Sequence, residues 1–133
     1  MSRENVELIR RLVEPWARGD FSAWLRSFRP DVLMSAYTPG QGVVTTRGRD
    51  RVLEYVAEFA SQWDPYRVEV DEVVSLGDDT VLVSGRQIGV GRGSGIEVSD
   101  VAFVVNRLHD GQVAAVHWRI DRDEALEAVG LRE

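Results

Sequence analysis

A carboxylate set among alternating apolar residues is the feature of this sequence best suited to proton chemistry. In the run Ile96 to Leu108, Asp100, Ala102, Val104 and Asn106 fall on one face of an extended strand. If that face is buried, an apolar setting raises the pKa of Asp100 and makes it a general acid or base. The same position also suits a solvated carboxylate near a strand end, in contact with Arg92 or another surface arginine. His117 and His109 are the other candidate acid/bases. His117 alternates against Trp118 and so takes the opposite face, with Arg119, while His109 sits in a turn. Asp121 and Glu124 have the spacing of a helix capping box, which accounts for Asp121 without catalysis.

Other chemistries are excluded by residue type. The chain has no cysteine, so it has no disulfides, thiolate metal ligands or cysteine nucleophiles. Two separated histidines make a poor metal site, and no metal or other cofactor is expected. All 16 basic residues are arginine, so Schiff-base chemistry on a lysine side chain is ruled out. Gly89 to Gly95 lacks the lysine and following helix of a phosphate loop and reads as a hairpin end. A net charge of −6 disfavours nucleic acid as a partner. No apolar run approaches the roughly 20 residues of a membrane helix, and the charged N-terminus does not resemble a signal peptide. No membrane partner is therefore expected, and cytoplasmic residence is the default expectation.

The elements that must position these groups follow from periodicity. With 133 residues and 44% hydrophobic content, the chain suits one domain, residues 1–133. Val6, Ile9, Val13 and Trp16 predict a helix from about Arg3 to Arg18, capped by Ser2, bent or ended at Pro15 and closed by Gly19. A short helix is expected from Phe21 to Phe28, capped by Asp20 and stopped by Pro30. A strand follows from Asp31 to Thr38, then a loop over Pro39 to Gly42. Val52, Tyr55, Val56, Phe59 and Trp63 predict a third helix from Arg49 to Trp63, ended by Pro65. Alternating segments at Tyr66 to Leu76, Thr80 to Val90, Ile96 to Leu108 and Gln112 to Ile120 predict an antiparallel meander. A last helix starts at Asp121 and ends at Gly130. The class is α+β.

This order, with its local words, resembles the SnoaL-like branch of the nuclear transport factor 2-like superfamily. The resemblance is carried by Trp16-Ala17-Arg18-Gly19-Asp20-Phe21, Pro30-Asp31-Val32 and Gly48-Arg49-Asp50, then by His109-Asp110-Gly111-Gln112-Val113 and Ile120-Asp121-Arg122-Asp123-Glu124-Ala125-Leu126. It implies a cone: three N-terminal helices on a strongly bent antiparallel sheet around an interior pocket, with a short C-terminal helix. It also implies which strand faces look inward. Val83 and Gln87, then Asp100, Ala102, Val104 and Asn106, then Val116, Trp118 and Ile120 would line the interior. Leu12, Trp16, Phe28, Tyr55, Phe59 and Trp63 would wall it from the helices, with Met34 and Ala36 from the first strand.

Activity does not follow from such a fold. Aligned to the ketosteroid isomerases of the superfamily, the base falls at Ala36, the tyrosine donor at Leu12 and the acid donor at Val104, so all three groups are missing. A cyclase would rely on Asp100. A hydrolase could use Asn106 and Tyr55, but lacks two inward aspartates and an arginine. The expectation is binding of a small, largely apolar molecule, with lyase, isomerase or hydrolase activity left open. The alternative is a non-catalytic dimeric module whose cavity is closed by its own side chains.

Val101, Phe103 and Val105 are apolar on the face opposite Ala102 and Val104, so something must cover both faces of this strand. A second copy of the chain is the expected cover, with His117 and Arg119 as a polar rim. The terminal helix folding back over the patch is the alternative.

Overall fold

The computed structural model describes residues 2–131. The elements are α1 (Ser2–Ala17), α2 (Ser22–Arg26), β1 (Phe28–Thr38), β2 (Gly42–Arg47), α3 (Arg49–Ser61), β3 (Trp63–Ser75), β4 (Thr80–Gly91), β5 (Glu97–His109), β6 (Gln112–Arg119) and α4 (Arg122–Glu127). The strands form one curled, unclosed sheet in the order β2-β1-β6-β5-β4-β3, with α1, α2 and α3 against its concave side. This is the expected α+β cone. One pairing, β1 with β6, is parallel, so the sheet is mixed rather than wholly antiparallel.

Local chemistry sets the element ends. Pro15 is tolerated inside the last turn of α1. Gly19 then takes φ of 91°, with Asp20 N–H bonded to Pro15 O at 2.9 Å and Gly19 N–H to Trp16 O at 2.9 Å. That is the paired closure of a helix ending in a left-handed glycine. The cap expected of Ser2 lies outside the described side chains. Asp20 accepts from Ser22 N at 3.0 Å and Ser22 Oγ at 2.7 Å, and these bonds hold its carboxyl below the usual range. Asp121 caps α4 by accepting from Glu124 N at 3.1 Å.

Three boundaries differ from expectation. Phe28 opens β1 instead of closing α2, because it pairs with Val113 of β6. Trp63 opens β3 instead of closing α3, paired with Gly91. The segment Gly42 to Arg47 is a strand, where Gly42 was expected to end a loop and Val43 to Arg47 had no expected element. Its run Val43-Val44-Thr45-Thr46 is β-branched, and pairing with β1 supplies the partner that a lone run lacks.

The curl has a local cause. The β3/β4 ladder shifts register between Val70 and Glu72, opposite Gly85. At Gly85 an added Cβ would lie 2.5 Å from the Glu69 carbonyl oxygen. A bulge facing a glycine bends the pair sharply. The concave face buries Ile9, Trp16, Phe28, Val32, Val83, Val104 and Val116 in one core. A second, smaller core lies on the other face, where Leu82, Val105 and Ala125 are buried with half-buried Phe103 and Val129 beside them. The cover over Val105 is therefore α4 of the same chain.

Candidate functional site

Three cavities occupy the concave side. The largest, about 390 Å³, forms the mouth and is lined by Tyr37, Pro39, Phe59, Gln62, Trp63, Tyr66, Gln87, Gly89, Val98, Asp100, Trp118 and Ile120. Deeper lies a chamber of about 40 Å³ between Phe21, Trp24, Met34, Ala36, Tyr55, Val56, Phe59 and Trp118. A third void, about 10 Å³, sits under α1 between Ile9, Leu12, Val13, Trp16, Val83, Val104 and Asn106. Of these three, only the mouth reaches the size of an ordinary small-molecule site.

Aromatic side chains fill the deep cone. The Trp16 ring stands edge-on to Trp118 at 5.6 Å, and Trp24 stands edge-on to Phe28 at 5.0 Å. Phe59 joins this block to the mouth, with ring centroids 5.6 Å from Tyr66, 6.1 Å from Trp118 and 6.4 Å from Trp63. Such tilted and edge-on pairs are the favoured geometry of aromatic quadrupoles.

The expected pocket residues are distributed among these spaces. Phe59, Trp63, Gln87, Asp100 and Trp118 line the mouth. Met34, Ala36 and Tyr55 line the deep chamber, where the Tyr55 hydroxyl and Thr38 Oγ1 lie 2.6 Å apart. Leu12, Trp16, Val83, Val104 and Asn106 surround the void under α1. Phe28, Ala102 and Val116 are buried in the core and line none of the three. The positions aligned to isomerase groups thus border internal spaces, Ala36 the deep chamber and Leu12 and Val104 the void under α1, but none of the three side chains is itself an acid or a phenol.

Polar groups at the mouth come from three neighbouring strands. The Tyr66 hydroxyl donates to Gln87 Oε1 at 2.9 Å. Burial pushes the Tyr66 phenol well above its ordinary pKa, which keeps it protonated and unsuited to act as a base. Gln87 faces Asp100 across the β4/β5 ladder. Asp100 itself is exposed, and its Oδ1 accepts from Val101 N at 2.9 Å. Arg92, on the hairpin between β4 and β5, is engaged elsewhere: with Asp64 at 3.5 Å and with the carbonyls of Ser61 and Trp63.

Asn106 is committed to structure. Its Oδ1 accepts from the Trp24 indole at 3.0 Å in a buried bond. The indole N–H groups of Trp16 and Trp63 are buried without an acceptor.

The opposite face of the sheet carries its own polar group. The Ser35 hydroxyl lies 2.6 Å from His117 Nδ1, and Arg119 donates to Ser35 Oγ at 3.0 Å and to its carbonyl at 2.7 Å. Burial pushes His117 below its ordinary pKa, and the charges of Arg119 and Arg107 add to this. Burial likewise lowers Arg119. A neutral imidazole can accept the Ser35 proton while Arg119 occupies the oxygen. Val101 and Phe103 are half-buried on this face. Among the described residues no three metal-ligating side chains converge, and no helix is long and apolar enough to cross a membrane.

Sequence reasoning missed Phe21, Trp24, Tyr37 and Tyr66 as cavity walls. Phe21 and Trp24 were legible as the apolar side of a short helix. Tyr66 follows Pro65 at the start of its alternating run. Tyr37 shares its alternation with Ser35 and carried no signal for the inner side.

The SnoaL-like domain model matches residues 9–116. Among solved structures, a candidate SnoaL-like polyketide cyclase from Jannaschia sp. CCS1 is 22% identical, with a TM-score of 0.75 over 96% of this chain and 90% of that one. A nuclear transport factor 2-like protein of unknown function from Burkholderia pseudomallei K96243 is 20% identical, with a TM-score of 0.72 over 95% and 97%. TerC, co-crystallised with polyporic acid, is 21% identical, with a TM-score of 0.69 over 88% and 91%. At such identities the likeness establishes the fold alone. No curated protein matches the chain.

Proposed function

The chain belongs to the SnoaL-like domain family, and from that premise we propose that it binds a small, largely apolar molecule at the mouth of the cone. The observation that carries this reading is the cavity of about 390 Å³, walled mainly by aromatic and aliphatic side chains with Gln62, Gln87 and Asp100 as its polar points. Concave, mostly apolar spaces with a few polar groups are the usual form of small-molecule sites. Titration calorimetry against a panel of small aromatic and alicyclic compounds tests it. Saturable binding that weakens in Trp118→Ala is expected, and no binding by any compound would overturn the reading.

Asp100 is the proposed acid/base if the bound molecule is turned over, because it is the one carboxylate in the lining. Asp100→Asn keeps the shape and removes proton transfer. Turnover that survives this change would remove Asp100 from the mechanism. The alternative of a closed, non-catalytic module draws on the deep chamber, which aromatic rings reduce to about 40 Å³.

We also propose that the chain pairs with a second copy through the outer sheet face. Val101 and Phe103 border a groove of about 380 Å³ with Val70, which is 39% exposed, and with Glu69 and Arg86 at its edge. A twofold contact would bring this groove against itself, with unlike charges at the rim. Val105 lies beneath α4 and would contribute only as support.

A further inference from the structure

We propose that the molecule bound at the mouth is an organic cation, an amine or quaternary ammonium on an apolar body, held by aromatic faces and by Asp100. This rests on the reading of the mouth as a small-molecule site and specifies its chemistry.

The composition of the lining carries the argument. Five of its side chains are aromatic: Tyr37, Phe59, Trp63, Tyr66 and Trp118. Aromatic rings present negative faces, and a cation within about 6 Å of a ring centroid is attracted by that quadrupole. Among the described residues of the lining Asp100 alone is formally charged, and its charge is negative. Arg92, the cation on the adjoining hairpin, is turned to Asp64 and to the carbonyls of Ser61 and Trp63. Among the described residues, no positive side chain enters the lining to bind a carboxylate or phosphate or to offset the negative potential of the aromatic rings.

Two local features support the cage. At Gly89 an added Cβ would stand 2.8 Å from Trp63 Cε3, so the bare backbone lets the indole lie directly against β4. Across the mouth, Tyr66 gives its proton to Gln87 Oε1, which turns that hydroxyl hydrogen away from an incoming cation. Asp100 commits Oδ1 to the Val101 N–H, and among the described residues no arginine or histidine forms a salt bridge with this carboxylate. Its position on the rim matches a recognition mode in which a charged head meets the carboxylate while the body lies among the rings.

The test uses a matched pair of probes. The 3-hydroxyphenyl-trimethylammonium ion and 3-tert-butylphenol have nearly the same shape and differ in one positive charge. Binding of each to the full chain is measured by titration calorimetry at physiological salt. The cation is expected to bind about tenfold more tightly than the phenol. That preference should shrink in Asp100→Asn, whose exposed site tolerates the change, and in Trp63→Leu, with folding checked by thermal melting. Equal or tighter binding of the neutral phenol would overturn the cation proposal and leave the apolar site standing. A preference unchanged in Asp100→Asn would trace it to the chain's overall charge of −6 and would also overturn the proposal. Failure of both probes to bind would overturn the mouth as a small-molecule site together with its specificity.

Discussion

The indole of Trp24 donates to the side-chain oxygen of Asn106 at 3.0 Å, joining the short second helix to the centre of the sheet across 82 residues of sequence. Both partners are buried, so the bond is shielded from water and the amide oxygen is taken up within the fold.

The Trp24 bond sets up a contrast between two tryptophans. Trp24→Phe leaves a buried amide oxygen without its donor, and unfolding by denaturant is expected to show a loss of about 1–3 kcal/mol beyond the volume effect. Trp16→Phe removes an indole N–H that already lacks an acceptor, so its loss should be smaller by about that amount. Equal losses would mean that the Trp24 bond contributes nothing.

Gly19 should resist replacement. Its φ of 91° disfavours any L side chain, and an added Cβ would meet the Tyr66 carbonyl oxygen at 2.7 Å. Gly19→Ala is expected to cost about 1–3 kcal/mol in thermal or chemical unfolding. It should also weaken binding at the mouth, because Tyr66 would be displaced with its backbone. A neutral substitution would show that the contact between this turn and β3 is slack.

Trp118 separates the mouth from the deep chamber, since it lines both. Trp118→Ala should join the two spaces. Its ring is half-buried, so the cost in stability is expected to stay below about 3 kcal/mol. Larger apolar probes should gain access relative to small ones, readable as a changed size preference in calorimetry. An unchanged preference would place the barrier at Phe59 instead.

His117 should make folding sensitive to mild acid. Its folded pKa lies below the ordinary 6.5, first through burial and then through Arg119 and Arg107. In the window between the two values the unfolded chain binds more protons, so stability rises with pH and is lost as pH falls from about 7. Protonation would also place two donors, His117 and Arg119, against Ser35 Oγ. His117→Asn keeps an acceptor near Ser35 and removes the titration, so the pH dependence of its denaturant midpoint should flatten below about pH 7. An unchanged slope would assign the effect to other groups.

Self-association through the outer face predicts a dimer in sedimentation at micromolar concentration, abolished by Phe103→Glu with the fold retained. A wild-type monomer would show that α4 and solvent suffice as cover for this face.

Alternation along single strands was enough to separate Asp100 and Trp118 from Phe103 and His117, because a period of two assigns each residue to one face wherever its neighbours lie. The fold class was legible for the same reason: apolar spacings of 3.6 and 2 mark helices and strands locally. The strand at Gly42 to Arg47, for which no element was expected, has its local signal in the β-branched run Val43 to Thr46. Other features had no local signal. That the deep cone is filled while the mouth stays open depends on ring volumes from α1, α2, α3 and β6 meeting in one space, and no single element records that sum. The cover of Val105 depends on where α4 returns after the last strand. The bonds of Asn106 to Trp24 and of Gln87 to Tyr66 decide which polar side chains remain for a ligand. Both join residues on different elements, so burial and pairing at the site were settled by tertiary packing, while the grouping of residues onto one face or the other was settled by alternation along the chain.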